Sequence, residues 1–231
     1  MKTIGLLGGM SWESSAEYYR LANVIVRERL GGFHSAPLLL DSVDFADIQR
    51  MQVEDRWDDA GRLLAAHAEA LQAGGADLLA LCTNTMHKVA ETIQSSVAIP
   101  FLHIGDTTAA AVQREGLTCV GLLATAYTME QPFLRDWLAA AGLEVLVPDS
   151  DDRAAVHRII YEELVLGVVR DESRAALQDV IEHLVAHGAD GVILGCTEIE
   201  LLIAADDSPV PVFPTTRIHI EAAVDAALAT T

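Results

Sequence analysis

Two short phrases carry the residue types that could do chemistry in this chain: Leu81-Cys82-Thr83-Asn84-Thr85 and Gly195-Cys196-Thr197-Glu198-Ile199. In each, a cysteine and then a threonine come after an apolar run, Leu78 to Leu81 in the first and Val192 to Leu194 in the second. Such runs read as buried strands. A thiol at a strand end, with a helix starting a few residues later, lies near that helix's partial positive charge, which lowers its pKa. It can then serve as base, nucleophile or metal ligand. Two thiols in equivalent places could face one another across the interface between two halves, so that a substrate carbon loses a proton to one and gains one from the other. On this reading Cys82 and Cys196 are an acid/base pair, one thiolate and one thiol, exchanging roles with the direction of reaction. The developing carbanion would need hydrogen-bond donors in place of an electron sink. Ser11, Asn84, Thr85, Thr125, Thr128 and Thr197, with N–H groups at helix starts, are the candidates.

Other readings stand beside this one. A single cysteine closing an apolar strand is ordinarily a small core residue, and Cys119, inside an apolar strand with no polar sequel, keeps that reading. A covalent mechanism would make the chain a Cys-dependent isomerase, decarboxylase or hydrolase on a small carboxylate, one cysteine attacking and the other protonating. A protein that binds an amino acid without turnover is the third possibility. Asp47 and Glu198 could hold a substrate ammonium or tune a cysteine, or be solvated carboxylates of an acidic protein. His87, on the segment after Cys82, could orient a thiolate. No C-x-x-C spacing occurs, and no metal site is expected, at His103 and His219 included. Gly8-Gly9 lacks the G-x-G-x-x-G spacing of a dinucleotide site, so no cofactor is expected either. What that turn offers is backbone N–H groups at a helix start, suited to a small anion.

The elements that must position these residues repeat. Ile4 to Leu7 reads as a strand, Trp12 to Leu30 as a helix capped by Ser11, Pro37 to Ser42 as a second strand, and Asp55 to Ala73 as a long helix. The strand carrying Cys82 comes next, then a helix over Met86 to Gln94, a short strand over Pro100 to His103 and a helix over Thr107 to Arg114. The order then restarts at Thr118 to Leu123. Four landmarks recur at nearly one offset: Gly5 and Gly121 are 116 apart, the Gly-Ala-Asp tripeptides at Gly75 and Gly188 113, the cysteines 114, and Pro100 and Pro211 111. This indicates an internal duplication. Eight apolar strands, each followed by a helix, call for parallel sheets, either as two four-stranded domains or as one eight-stranded barrel. In both, the loops at the carboxyl ends of the strands carry the site.

Composition narrows the classes. At 231 residues the chain suits one large domain or two of about 100 to 120 residues. Its net charge is −19, with Lys2 and Lys88 its only lysines. That argues against nucleic acid and anionic membranes as partners, since both are held by basic side chains. No apolar stretch reaches the ~18 to 20 residues that span a bilayer, and the first residues lack a secretory pattern. Three cysteines do not make a disulfide framework. The expectation is a soluble cytoplasmic protein with free thiols.

At Gly8-Gly9-Met10-Ser11-Trp12-Glu13-Ser14, Cys82-Thr83-Asn84-Thr85-Met86-His87 and Gly195-Cys196-Thr197-Glu198-Ile199 the sequence resembles the aspartate/glutamate racemase family, especially its broad-specificity amino-acid racemase branch. The likeness extends to Tyr18-Tyr19-Arg20, Pro100-Phe101-Leu102-His103-Ile104, Tyr127-Thr128-Met129-Glu130-Gln131 and Glu162-Glu163-Leu164. The resemblance implies a cofactor-independent racemase with Cys82 and Cys196 as the acid/base pair, acting on a small amino-acid substrate, usually as a homodimer. It also implies an α/β fold of two similar domains related by pseudo-symmetry, each a four-stranded parallel sheet flanked by helices. The domains would be 1–104 with 213–231, and 105–212. Substrate contacts would fall at Met10, Ser11, Thr83, Asn84, Thr85, Thr125, Thr128, Thr197 and Glu198. Two positions depart from the family's pattern: Pro214 stands where an aspartate is usual, and 163–167 lacks the lysine of archaeal-type aspartate racemases. Both argue against strict aspartate specificity.

Overall fold

Among the described residues, the apolar runs bounded by glycine and proline become eight parallel strands in two four-stranded sheets. The structure is a computed structural model and describes residues 1–229. By Cα packing the chain divides into two units, the second comprising Gly105–Ile218 and the first Met1–Ile104 with the described residues from His219 onward.

The first unit contains β1 (Ile4–Gly8), α1 (Trp12–Leu30), β2 (Leu38–Ser42), α2 (Phe45–Val53), α3 (Trp57–Ala73), β3 (Leu78–Leu81), α4 (Ala90–Ser96) and β4 (Phe101–Leu102), after which α5 (Ile104–Arg114) begins. Its sheet order is β2-β1-β3-β4. The central strands β1 and β3 are buried along their whole length, whereas the edge strand β2 is half exposed. Helices cover both faces, so the central strands read as unbroken apolar runs and not as alternation. Side chains still alternate between the faces. Ile4, Leu6, Leu78, Ala80 and Cys82 share one core with Tyr18, Leu21 and Ile25 of α1 and Ile220, Ala223 and Val224 of α10 (Thr215–Leu228).

The second unit repeats this plan with β5 (Cys119–Leu123), α6 (Ala126–Glu130), α7 (Pro132–Ala140), β6 (Glu144–Leu146), α8 (Ser150–Glu162), α9 (Asp171–Ala186), β7 (Gly191–Leu194) and β8 (Val212–Pro214). Its order, β6-β5-β7-β8, matches the first sheet strand for strand. Cys119 lies on β5, half buried, with the Asp190 carboxylate accepting its backbone N–H at 3.3 Å.

Three details differ from the sequence-based expectations. The stretch 45–53 forms a helix, α2, whose N-cap Asp44 accepts the Ala46 N–H at 2.9 Å; with only nine residues its apolar period is too brief to register. The single helix expected over Met86 to Gln94 is a 3-10 turn over Thr85–Val89 followed by α4. The expected boundary at 212/213 falls inside β8, which pairs with β7 through Leu194↔Pro214, and the second unit runs on to Ile218. Residues 230 and 231 of the expected first domain lie outside the described residues.

The turn after β1 is the tightest point of the first sheet. Gly9 has φ +94°, and a Cβ there would collide with the Val43 carbonyl oxygen. Glycine alone adopts that backbone without strain. Gly9→Ala is therefore expected to destabilise the protein by ~1 to 3 kcal/mol, read as a lower urea midpoint at unchanged m-value; an unchanged midpoint would show that this turn tolerates a side chain.

Candidate functional site

Both cysteines lie just beyond the carboxyl ends of equivalent central strands, Cys82 directly after β3 and Cys196 two residues after Leu194 of β7. Each is placed by the ladder behind it. The Cys82 N–H donates to the Leu7 carbonyl at 2.9 Å, and the Gly195 N–H to the Leu123 carbonyl at 2.7 Å. Cys82 is fully buried and Cys196 is 9% exposed.

In the first unit serines tie the strand ends together. Ser11, the α1 N-cap, accepts the Ser14 N–H at 3.4 Å. Ser15 Oγ accepts the Gly9 N–H at 2.8 Å and donates to the Ser11 carbonyl at 3.0 Å. Ser14 Oγ reaches across and donates to the Cys82 carbonyl at 3.1 Å. The loop holding Met10 and Ser11, both buried, is thus stitched to the loop holding Cys82.

Beyond Cys82, Thr83 and Thr85 are half buried and Asn84 is buried. His87 clamps this segment. Its Nδ1 lies 2.7 Å from the Thr83 carbonyl, and its Nε2 accepts the Ile104 N–H at 3.1 Å. A carbonyl can only accept and an amide N–H only donate, so His87 is neutral and protonated on Nδ1. Both ring nitrogens are thereby committed to backbone, and His87 orients the loop that carries the thiol. His219 is held likewise, donating from Nε2 to the Leu102 carbonyl and accepting the Tyr18 hydroxyl at Nδ1, both at 2.9 Å. The His103 ring lies edge-on to His87 with centroids 4.6 Å apart. Burial, reinforced by the neighbouring histidines, pushes His87 well below the usual imidazole range; burial takes His219 down to about 4.

Asp47 lies on α2, about half exposed, and pairs with Arg50 at 2.7 Å. The same helix meets the Cys82 segment through Gln52, whose buried Nε2 donates to Met86 Sδ at 3.1 Å while its Oε1 has no partner. Sequence reasoning passes over Gln52; its signal, a polar residue on the inward face of α2, becomes visible only once α2 is known to exist.

The second unit uses different chemistry at the same places. Thr125 and Thr128, both buried at the start of α6, have hydroxyls 3.3 Å apart. The Ala126 N–H donates to His157 Nδ1 at 3.2 Å, fixing the His157 ring 4.6 Å from that of Tyr161 on α8. Thr197 Oγ1 lies 2.9 Å from Thr216 Oγ1, and Thr215 Oγ1 donates to the Leu194 carbonyl at 2.9 Å. The residues after Pro214 therefore brace the Cys196 loop. Cys196 itself donates its S–H to Glu198 Oε2 at 2.9 Å, with both side chains buried.

One expectation is corrected. Helices after the cysteines are expected to depress the thiol pKa values, yet burial pushes both up: Cys82 by desolvation, Cys196 by desolvation and then the adjoining Glu198 carboxylate. Each cysteine leads into a short 3-10 turn, Thr85–Val89 or Ile199–Leu201, with little dipole to offer. At Cys196 the backbone N–H groups of Glu198 and Ile199 favour the thiolate, but less strongly than burial opposes it. Tyr161 is raised to about 12 by burial and by the nearby Cys196, Tyr127 and Glu198. Among the described residues no group of three or more His, Cys, Asp or Glu could hold a metal ion, and no helix is long and apolar enough to cross a membrane.

Known proteins share both the sequence pattern and this architecture. The family described as Asp/Glu/Hydantoin racemase matches residues 7–223. A crystal structure from Yersinia pestis, provisionally named an Asp/Glu racemase, is 51% identical, covering 99% of this chain and 100% of its own, with TM-score 0.94. An aspartate racemase homologue from Pyrococcus horikoshii OT3 is 33% identical over 99% of this chain and 100% of its own, with TM-score 0.89. The broad specificity amino-acid racemase RacX of Bacillus subtilis (strain 168) is 24% identical over 176 residues, 74% of each chain.

The buried histidines make stability depend on pH. His219 is neutral when folded down to about pH 4 but protonates near pH 6.5 when unfolded. Its contribution is therefore fully present above about pH 6.5 and is lost progressively as the pH falls toward about 4, a total of ~3 kcal/mol. Urea denaturation between about pH 7.5 and about pH 5 should show this loss. His219→Phe should be less stable at the upper pH, having lost the hydrogen bonds to the Tyr18 hydroxyl and the Leu102 carbonyl, but should lose less on acidification. Equal losses in both proteins would sink the assignment.

Proposed function

The chain belongs to the Asp/Glu/Hydantoin racemase family, and from that membership we propose that it is a cofactor-independent amino-acid racemase inverting Cα with Cys82 and Cys196. The observation that carries the proposal is the pair of buried thiols at the ends of matching central strands, each followed by threonine, in two units of one topology. Relatives named as racemases are isomerases, which supports the reaction class.

In the proposed mechanism one thiolate takes the Cα proton from one face while the other cysteine returns a proton from the opposite face. The bond broken is Cα–H and the bond formed is its mirror image, so no electron leaves the substrate. The raised proton affinity of buried thiols serves this step. Cα is a far weaker acid than a thiol, and a base of higher pKa narrows that gap. The cost is that little thiolate exists in the empty protein, so the substrate ammonium must stabilise it on binding. Donors at Ser11, Thr83, Asn84, Thr85, Thr125, Thr128 and Thr197, with Met10 closing the apolar side, hold the carboxylate as charge develops. Asp47 and Glu198 are proposed for the ammonium or for tuning a thiol. The substrates proposed are aspartate, glutamate or a broader set of amino acids, a range in keeping with Pro214 and with the likeness to a broad-specificity relative. A cytoplasmic homodimer working without pyridoxal phosphate completes the proposal.

The test is incubation with each L- and D-amino acid in deuterated water, following Cα–H loss by NMR and enantiomer ratio by chiral chromatography. Cys82→Ser and Cys196→Ser should each lower racemisation about 100-fold or more with the circular dichroism unchanged. Full activity in either variant would remove the two-thiol mechanism, and the absence of Cα exchange with every amino acid would overturn the racemase reading.

A further inference from the structure

The helix α1 carries a second apolar face. Its inner face packs Tyr18, Leu21 and Ile25 into the core of the first unit. On its outer face Trp12, Ala16, Tyr19, Asn23, Arg27 and Leu30 recur every three or four residues, the spacing that lines up one side of a helix. Trp12 is 68% exposed and Tyr19 54%, and Phe33, just past the helix, is exposed in full. Of the four exposed aromatic side chains among the described residues, only Trp137 lies outside this helix and the turn that follows it. Scattered exposed apolar residues need no explanation, but a file of aromatic ones marks a contact surface. Gly31 and Gly32, both at positive φ, end the helix, and the chain doubles back along it, where Asn23 Oδ1 accepts the Ala36 N–H at 3.0 Å. Between helix and returning chain lies an open cavity of about 360 Å³, bordered by Tyr19, Asn23, Val24, Arg27 and His34 among others.

We propose that this outer face of α1 is where a second copy of the chain docks, the two helices lying antiparallel about a two-fold axis near Leu21, the middle of α1. The proposal rests on the homodimer of the reading above and supplies its surface. Two features select a second copy as the occupant, and the first is charge. The chain carries −19 overall, so two copies repel wherever their acidic faces meet. The helix α1 is balanced, with Glu13, Glu17 and Glu28 against Arg20, Arg27 and Arg29. Its charges are also ordered, with Glu13 in the first turn and Arg27 and Arg29 in the last. Glu17 pairs with Arg20, and Arg29 with Asp225, whereas Glu13 and Arg27 have no ion pair among the described residues.

A two-fold axis at the middle of α1 sets the start of each helix beside the end of the other. Glu13 of each copy then lies within a helical turn of Arg27 of the second, and the unlike ends of the two helix dipoles meet. Trp12 comes level with Leu30, with Phe33 reaching past it, and Tyr19 comes level with Asn23 at the cavity. The second feature is this self-complementarity. Where the same patch serves both partners, every projecting group needs its recess on that patch. Here the aromatic file and the cavity share one face, so each copy fills the other and the contact closes at two copies.

The test is sedimentation velocity of the full chain at about 1 to 100 μM, a range that brackets micromolar association. The wild type should sediment as a dimer. Tyr19→Glu, which sets two carboxylates beside the axis, and Phe33→Ser, in an exposed turn, should each weaken the dimer about 10-fold or more with the circular dichroism unchanged. Phe33→Ser decides the matter if Y19E fails to fold. Arg27→Glu should weaken the dimer likewise by facing Glu13, and adding Glu13→Arg should restore it. Residues 13 and 27 lie about 21 Å apart along one helix, so no contact within a chain can produce that rescue. A monomeric wild type, a dimer indifferent to Y19E and F33S, an R27E defect that E13R does not relieve, or binding to phosphatidylcholine vesicles in place of self-association would each overturn the proposal. Racemisation is assayed on the same samples, and its absence in a wild type that dimerises through α1 overturns the racemase reading alone.

Discussion

A thiol sealed at the carboxyl end of a central parallel strand is the constraint on which the rest of this structure depends. Burial raises the proton affinity of both cysteines. A group in that condition is inert unless something supplies charge, and it is a strong base once something does. The surrounding structure is organised to keep that condition fixed. Ladder hydrogen bonds set the heights of Cys82 and Gly195, helices on both sheet faces exclude water, and the polar residues crowd into the turns just beyond the strands.

The two units reach this arrangement by different means. In the first, Ser14 and Ser15 stitch the β1 and β3 loops together, and His87 and His219 pin the segments behind them as neutral rings with both nitrogens engaged. In the second, Thr125, Thr128, Thr197, Thr215 and Thr216 take over, and a carboxylate reaches the sulfur directly. A duplicated scaffold keeps its topology because strand order and helix crossovers are set by buried apolar surface. Its loops diverge because a few polar contacts suffice to hold them.

Much of this is legible in the residue order. The apolar runs at Ile4, Leu78, Cys119 and Val192 become strands, and the four landmarks at near-constant offset foretell two halves of one plan, which the structure shows as two sheets of equal order and not as one barrel. Cys82 and Cys196 stand out because each breaks from an apolar run into polar residues. α2 is not legible, being too short for its period to stand out, and Gln52 goes with it. The direction of the thiol shifts is hidden for a related reason. Sequence marks where a helix can begin, but a 3-10 turn and an α-helix share the same residues there.

The sequence by itself determined strand count, the parallel arrangement, the duplication and the identity of the two thiols, because each depends on hydrophobic period and residue type along the chain. Only the tertiary structure decided how deeply those thiols are buried, which nitrogen of each pinned histidine carries its proton, and that Glu198 turns back onto Cys196. Those facts depend on distances between atoms far apart in sequence, or on the path of one short turn, and a proton's affinity is set by what surrounds it in space.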